Sequence, residues 1–268
     1  MVKLPFHMAC RLCGADAPLV QAHIIPEAFF RELRADGGLS PLLVSGDPAT
    51  YNKAAPIGVY DQTILCAACE GKFQTLDDYG IEAMLRRFGQ WFAPVQAEGV
   101  THGFESAVVD QERLLKFLVA VLWRASVSTH SFYRNVSLGP LLAAAARVVI
   151  DPHQPTVQTF GAVLSRWSPP ANVGFKVHGL MDPFREKWRG VNAYRLYFGD
   201  MVAYIRVDRR PFPPALEALA LTRQSVLRVV ERAFENSKDY GAMHRTAMLA
   251  HRREEAARLA RSRRKGRG

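Results

Sequence analysis

The chain of 268 residues has only four cysteines, and none of them stands outside two Cys-x-x-Cys pairs, Cys10/Cys13 and Cys66/Cys69. It has no apolar run approaching the ~20 residues that cross a bilayer. The longest, Phe117 to Trp123, is bounded by Lys116 and Arg124. Met1 to Pro5 carries no apolar signal core, so a cytoplasmic location is expected. Gly-rich phosphate loops and a Gly-x-Ser-x-Gly elbow are missing, which excludes the commonest nucleotide-binding and serine-hydrolase signatures. His102, His130, His153, His178, His244 and His251 are scattered without pairing, so no histidine-rich metal cluster is expected.

Acidic residues are scarce at the C-terminal end. From Arg245 onward there are nine Arg and Lys against only Glu254 and Glu255, within a formal net charge of +10 for the whole chain. The excess charge sits on an arm rather than on a globule. An arm of this kind displaces counterions from nucleic-acid phosphates without reading sequence. Arg258, Arg261, Arg263, Arg264, Lys265 and Arg267 are its candidate phosphate-gripping residues, and the bland alternative is a solvated helix end.

About half of the residues are apolar, enough for a substantial core. The patterning divides the chain into a cysteine-bearing module over residues 1–90, a mixed α/β region over 105–240 and a basic helical tail over 241–268. In the first, Pro26 opens a helix over Glu27–Arg34, runs at Pro41–Val44 and Ile57–Tyr60 suit strands or an irregular loop, and a helix follows Cys66, with Gly80 a break point. In the second, Asp110 caps a helix whose Leu114, Phe117, Leu118, Val121, Leu122 and Ala125 form a core stripe, and Leu138–Ile150 packs against it. Val157–Trp167, Val173–Leu180, Val191–Phe198 and Met201–Val207 read as antiparallel strands, the last two joined by a Gly199-Asp200 turn. Helix is expected again at Pro214–Leu221, at Thr222–Phe234 and from Lys238. The fold class is therefore α+β. Trp123-Arg124 and Trp188-Arg189 are candidates for stacking on bases, with buried aromatics beside surface arginines the commoner reading.

Two Cys-x-x-Cys pairs with no cysteine left over are the spacing of a tetrahedral zinc site, because two intervening residues let a tight turn or a first helical turn aim both sulfurs at one ion. A reducing compartment disfavours disulfides, and neither pair opens a thioredoxin-like βαβ unit. Four thiolates fill the coordination sphere, so this zinc is expected to be structural. Chemistry then belongs beside it, and His23 in the run Ala22-His23-Ile24-Ile25-Pro26 is the nearest candidate.

The order Cys10-x-x-Cys13, His23-Ile24-Ile25-Pro26, Leu65-Cys66-x-x-Cys69-Glu70 resembles the zinc-bound HNH, or His-Me finger, endonucleases over residues 10 to about 78. The resemblance implies a treble-clef-like ββα finger stapled by zinc, with His23 on the first strand as general base for water attacking a phosphodiester in DNA, RNA remaining open. It also implies a divalent ion, Mg²⁺ or Mn²⁺, at the phosphate. This chain departs from the pattern at three places: Ala22 stands where an acidic or histidine ligand precedes the base, Asp61 where the central Asn stands, and Glu70 where a closing His or Asn stands. Asp61 is accordingly expected to orient the His23 ring and Glu70 to ligate the divalent ion. Asp77, seven residues on and on the same helical face as Glu70, assists through water or, with Asp78, is solvated surface. The alternative is a non-catalytic zinc finger that binds nucleic acid or a protein partner.

Overall fold

A computed structural model describes residues 9–35, 41–46, 53–151, 153–168, 179–246, 248, 249 and 252. The six candidate phosphate-gripping residues from Arg258 to Arg267 lie outside them. So does most of the expected strand at Val173–Leu180, of which only Gly179 and Leu180 are described, in a strand over Gly179–Met181.

The chain is α+β. Its N-terminal part contains β1 (Ala22–His23), α1 (Glu27–Ala35), β2 (Leu42–Val44), β3 (Lys53–Ala54), β4 (Tyr60–Asp61), α2 (Ala67–Ile81) and the short α3 (Phe88–Trp91). There follow β5 (Ala93–Ala97), β6 (Val100–Ser106), α4 (Gln111–Val127), α5 (Leu142–Ile150), β7 (Gly161–Trp167), β8 (Gly179–Met181), β9 (Phe184–Trp188), β10 (Val191–Phe198), β11 (Met201–Arg206), α6 (Pro214–Glu217) and β12 (Leu227–Arg232). Strands β1 and β4 form a separate antiparallel ribbon, β3-β2-β8 a small sheet, and β5-β6-β12-β7-β11-β10-β9 a seven-stranded sheet.

Helix α4 is the axis of the fold. Asp110 caps it by accepting from the Arg113 backbone N–H at 3.0 Å, as its sequence position demands. All twelve residues from Leu114 to Ala125 are buried, so the helix is enclosed on every side and not along one stripe alone. On one side it meets α2, where Gly80 does not break the helix. A Cβ at Gly80 would overlap the Phe117 ring, so the glycine is what lets the two helices approach. On another side it meets β7 and β11 of the large sheet. Phe29 of α1, Phe117 of α4 and Phe198 of β10 pack together, the first two stacked at 6.3 Å and Phe198 meeting them edge-on and tilted at 5.3 and 5.6 Å. The main buried core runs from Cys10 through Phe73 and Phe117 to Leu227, and a smaller cluster gathers Val163, Val191, Ala193, Phe212 and Ala220. No helix among the described residues is long and apolar enough to cross a membrane.

Two expectations about the sheet need correction. The hairpin β10–β11 is antiparallel with its turn at Gly199, φ +64°, but the sheet is mixed, because β12 lies parallel to β7. The segment expected to be helical over Thr222–Phe234 supplies that strand. Leu227 and Val229 are buried while Arg228 is exposed, a period of two that fits the gap between β6 and β7.

The opposite face of the large sheet holds a buried ionic network. Arg195 of β10 pairs with Glu186 of β9 and, at 3.0 Å, with Asp239, which also accepts from the Tyr197 hydroxyl. Residues 240–246 are helical. Asp239, just before them, thus locks the C-terminal segment onto the sheet.

Candidate functional site

The first pair of cysteines stands in a turn closed by the Gly14 N–H donating to the Cys10 carbonyl at 2.8 Å, with Gly14 at φ +74°. The second pair opens α2: Cys66 is its N-cap and Cys69 lies in its first turn. All four sulfurs lie within 4.8 Å of one another. A tetrahedral site with metal–sulfur bonds of about 2.3 Å has edges of about 3.8 Å, and Cys13 Sγ and Cys66 Sγ are 4.0 Å apart. The Cys66 N–H donates to Cys10 Sγ at 3.4 Å. Burial alone would raise the Cys10 pKa, but backbone N–H groups of Cys13, Cys66 and Leu12 outweigh it and bring the thiol down to about 6. Burial and the three neighbouring sulfurs push Cys69 the other way, as expected of thiols crowded around one point. The cluster is placed to hold a metal ion such as zinc.

The turn and the helix that carry the cysteines also frame the β1–β4 ribbon. Leu19 bridges to Cys66, and the register places Ala22 opposite Asp61 and His23 opposite Tyr60. Residues directly opposite share a face of an antiparallel pair, so His23 and Tyr60 point one way and Ala22 and Asp61 the other. The His23 ring meets Tyr60 edge-on at 5.9 Å and is held by a hydrogen bond to the Ile57 backbone. Ile57 is itself fixed by a turn at Gly58, φ +87°, where a Cβ would stand 2.6 Å from the Phe30 ring. Nε2 of His23 is buried and has no partner. Burial is the main influence on this ring and lowers its pKa. Glu27 and Ile57 oppose the shift, Arg124 adds to it and Asp77 opposes it more weakly. Burial thus favours the neutral form of the His23 ring.

Asp61 does not orient His23. Its carboxylate, 5% exposed, accepts from the Thr63 N–H and hydroxyl at 2.8 and 2.6 Å, the Ser128 hydroxyl at 2.9 Å, and the Thr129 N–H and hydroxyl at 2.7 and 3.1 Å. These donors lie in the turn after β4 and at the end of α4. Asp61 therefore pins α4 to the ribbon from the face opposite His23.

Glu70 and Asp77 lie on the α2 face turned toward α4. Glu70 Oε2 is buried without a partner, and burial raises the pKa of its carboxyl group. Asp77, expected at the surface, instead receives both terminal nitrogens of Arg124 at 2.7 and 2.6 Å, and Asp78 is the exposed member of the pair. Arg124, expected beside Trp123 at the surface, is 0% exposed, lies 4.8 Å over the Phe73 ring and has an unpartnered Nε. Tyr133, buried, also has a hydroxyl without a partner. His23 Nε2, Glu70 Oε2, Arg124 Nε and Tyr133 OH are half of the eight unpartnered buried side-chain atoms among the described residues. Such a concentration is unusual in a finished core, where buried polar atoms are paired.

A hard divalent ion needs roughly six oxygen ligands. Among the described residues, the four cysteines are the only group of three or more His, Cys, Asp or Glu side chains close enough to share an ion. The residues around Glu70 do not form a ligand set for Mg²⁺ or Mn²⁺, because Ala22 ligates nothing and Asp77 is committed to Arg124.

Arg124, Tyr133 and Glu27 are the cluster residues that sequence reasoning passed over. For Arg124 there was a signal: an arginine closing a long apolar run inside a helix must find a buried partner, and Asp77 was available on the preceding helix. Comparison with family models, with curated proteins and with solved structures returns no match for this chain.

Proposed function

We propose that the chain is a divergent HNH-type nuclease, a hydrolase of phosphodiester bonds in DNA with RNA as the second candidate, in which His23 is the general base. The observation that supports this most directly is the buried and unpartnered Nε2 of His23, on the first strand of an antiparallel ribbon framed by the elements that carry the four cysteines. In this reading the cysteines hold a structural zinc ion, and β1, β4 and α2 form a treble-clef-like finger. Nε2 takes a proton from water as the water oxygen bonds to phosphorus and the bond to the leaving ester oxygen breaks. Imidazole suits the task because it changes protonation state near neutral pH. The resemblance adds Mg²⁺ or Mn²⁺ at Glu70, but the ligand set there is poor and nothing assigned to His23 depends on it. Arg258 to Arg267 supply sequence-independent attraction for phosphates.

Zinc-loaded protein is expected to nick supercoiled plasmid, assayed with and without Mg²⁺ or Mn²⁺. His23→Ala is expected to lower the rate by at least ~100-fold, the lower range for loss of a general base, with zinc content unchanged. Equal cleavage by the variant would remove His23 from the chemistry.

A second reading has its own support. Ala22 is fully buried and Asp61 is absorbed into structural hydrogen bonds, so two positions that carry polar function in the nucleases are here part of the scaffold. A non-catalytic nucleic-acid-binding finger would bind DNA in a salt-sensitive way and cut nothing under any divalent ion.

A further inference from the structure

Beside His23 the surface is apolar. Tyr60, its cross-strand partner, and Ile57, whose backbone holds the imidazole, are 38% and 39% exposed. Neither is loosely placed. The Ile24 N–H donates to the Val59 carbonyl at 3.0 Å, and the Gly58 N–H to the Ala55 carbonyl at 3.2 Å, so the segment carrying both side chains is tied to the strand carrying His23. The Tyr60 hydroxyl makes no hydrogen bond among the described residues, and its ring meets the imidazole in an edge-type contact at 5.9 Å between centroids. Tyr60 is therefore a pre-positioned exposed aromatic ring whose nearest functional neighbour is the unpartnered base.

A phosphodiester brought to His23 carries a sugar and a nucleobase with it. Phosphate recognition is the work of charged groups, and Tyr60 and Ile57 have none to offer. What they offer is apolar area and a π face, which bind a nucleobase by stacking regardless of its identity. A base inside a duplex has both faces covered by its neighbours. An unpaired base has a face free.

We propose that Tyr60, supported by Ile57, forms a stacking subsite for an unpaired nucleobase next to the phosphate addressed by His23, so that the site takes single-stranded or frayed nucleic acid in preference to intact duplex. The subsite rests on the nuclease reading for the class of its ligand.

The test separates binding from cutting. Full-length zinc-loaded protein carrying His23→Ala, which prevents turnover, is titrated into a fluorescein-labelled dT12 strand and into a 12-base-pair duplex, with anisotropy as the readout. Adding Tyr60→Ala is expected to weaken dT12 binding by roughly ten-fold, the middle of the range for loss of one stacked base, and to change duplex binding by less than about two-fold. Tyr60→Phe, which keeps the ring, is expected to keep dT12 binding. Zinc content and the thermal melt check that each variant is folded. Unchanged dT12 binding in the Tyr60→Ala protein overturns the subsite, and so does an equal loss on both ligands. If the unaltered protein cuts nothing, the nuclease reading falls, while a selective loss of single-strand binding still supports the subsite.

Discussion

At the scale of single residues, carboxylates with similar sequence prospects take different parts. Asp61 receives five hydrogen bonds from three residues and Asp77 a guanidinium, whereas one Glu70 oxygen is left without a partner. The difference follows from which helix or turn stands opposite each one, and the sequence does not display that. Burial would raise the Asp61 pKa, but the bonds from Thr63, Thr129 and Ser128 prevail and hold it below the ordinary aspartate value. A carboxylate lowered in the folded state adds stability above its unfolded pKa of about 3.9 and loses it as the pH falls through the lower, folded value. Asp61→Ala is therefore expected to cost about 2 kcal/mol at pH 7, since it leaves buried donors unsatisfied. The deficit relative to the unaltered protein should shrink on acidification below pH 4. Denaturant titrations at pH 7 and pH 3 measure both. A variant as stable as the parent that loses only cleavage would instead return Asp61 to the catalytic group.

Among the elements, the turn at Cys10–Cys13 and the start of α2 are the parts least able to stand alone. The ribbon they frame has two residues in each strand, too short for independent stability. A metal ion such as zinc on the four cysteines would fix this geometry, as structural zinc does for small folds. Cys69→Ser is predicted to lower the bound metal from one zinc per chain to a small fraction of that, measured by atomic absorption. Because the ribbon carries His23, cleavage should fall with it, while the α4–sheet core keeps its far-UV circular dichroism. Full zinc occupancy in Cys69→Ser would mean that the cysteines are not the ligands. The same scale explains a misreading of pattern. Residues 222–234 have apolar positions compatible with a helix, but Leu227–Arg232 completes hydrogen bonds for both β6 and β7, and the ladder prevails over local preference.

Across the whole molecule, the cysteine-bearing part and the rest of the chain are joined by polar contacts as well as by apolar packing. Asp61 grips the end of α4, Asp77 grips Arg124 within it, and Phe73 packs on Trp123 at 5.6 Å. The mixed region is thus a wall of the His23 cluster. Two truncations separate the parts of the C-terminal segment. Asp239 is one of two carboxylates, with Glu186, that pair with the buried Arg195, and it also accepts from the Tyr197 hydroxyl, so a chain ending at Lys238 would remove one partner of Arg195 and leave the buried Tyr197 hydroxyl unsatisfied, at a cost of roughly 1–3 kcal/mol. Ending the chain at Arg252 removes seven Arg and Lys and two Glu and leaves Asp239 in place. That shorter protein is expected to melt within about 2 °C of the full chain, as surface changes of up to ~0.5 kcal/mol allow. It should bind duplex DNA more weakly, with a shallower dependence on salt, because fewer phosphates are neutralised. Equal salt slopes for the two proteins would show that the arm does not touch DNA.

What the sequence determined by itself is the chemistry that depends on local spacing. Two Cys-x-x-Cys pairs, a histidine before Ile-Ile-Pro, the Asp110 cap, the Gly199-Asp200 hairpin and an α+β class all follow from neighbours along the chain, where spacing fixes which atoms can meet. What only the tertiary structure decided is the partnership of residues far apart in sequence. Asp61 meets Thr129, Asp77 meets Arg124, Asp239 meets Arg195, and a segment with helical spacing becomes the strand between β6 and β7. The physical reason is the same in each case. A buried charge or an open strand edge is costly until it is paired, and which group pairs with it depends on how the elements pack.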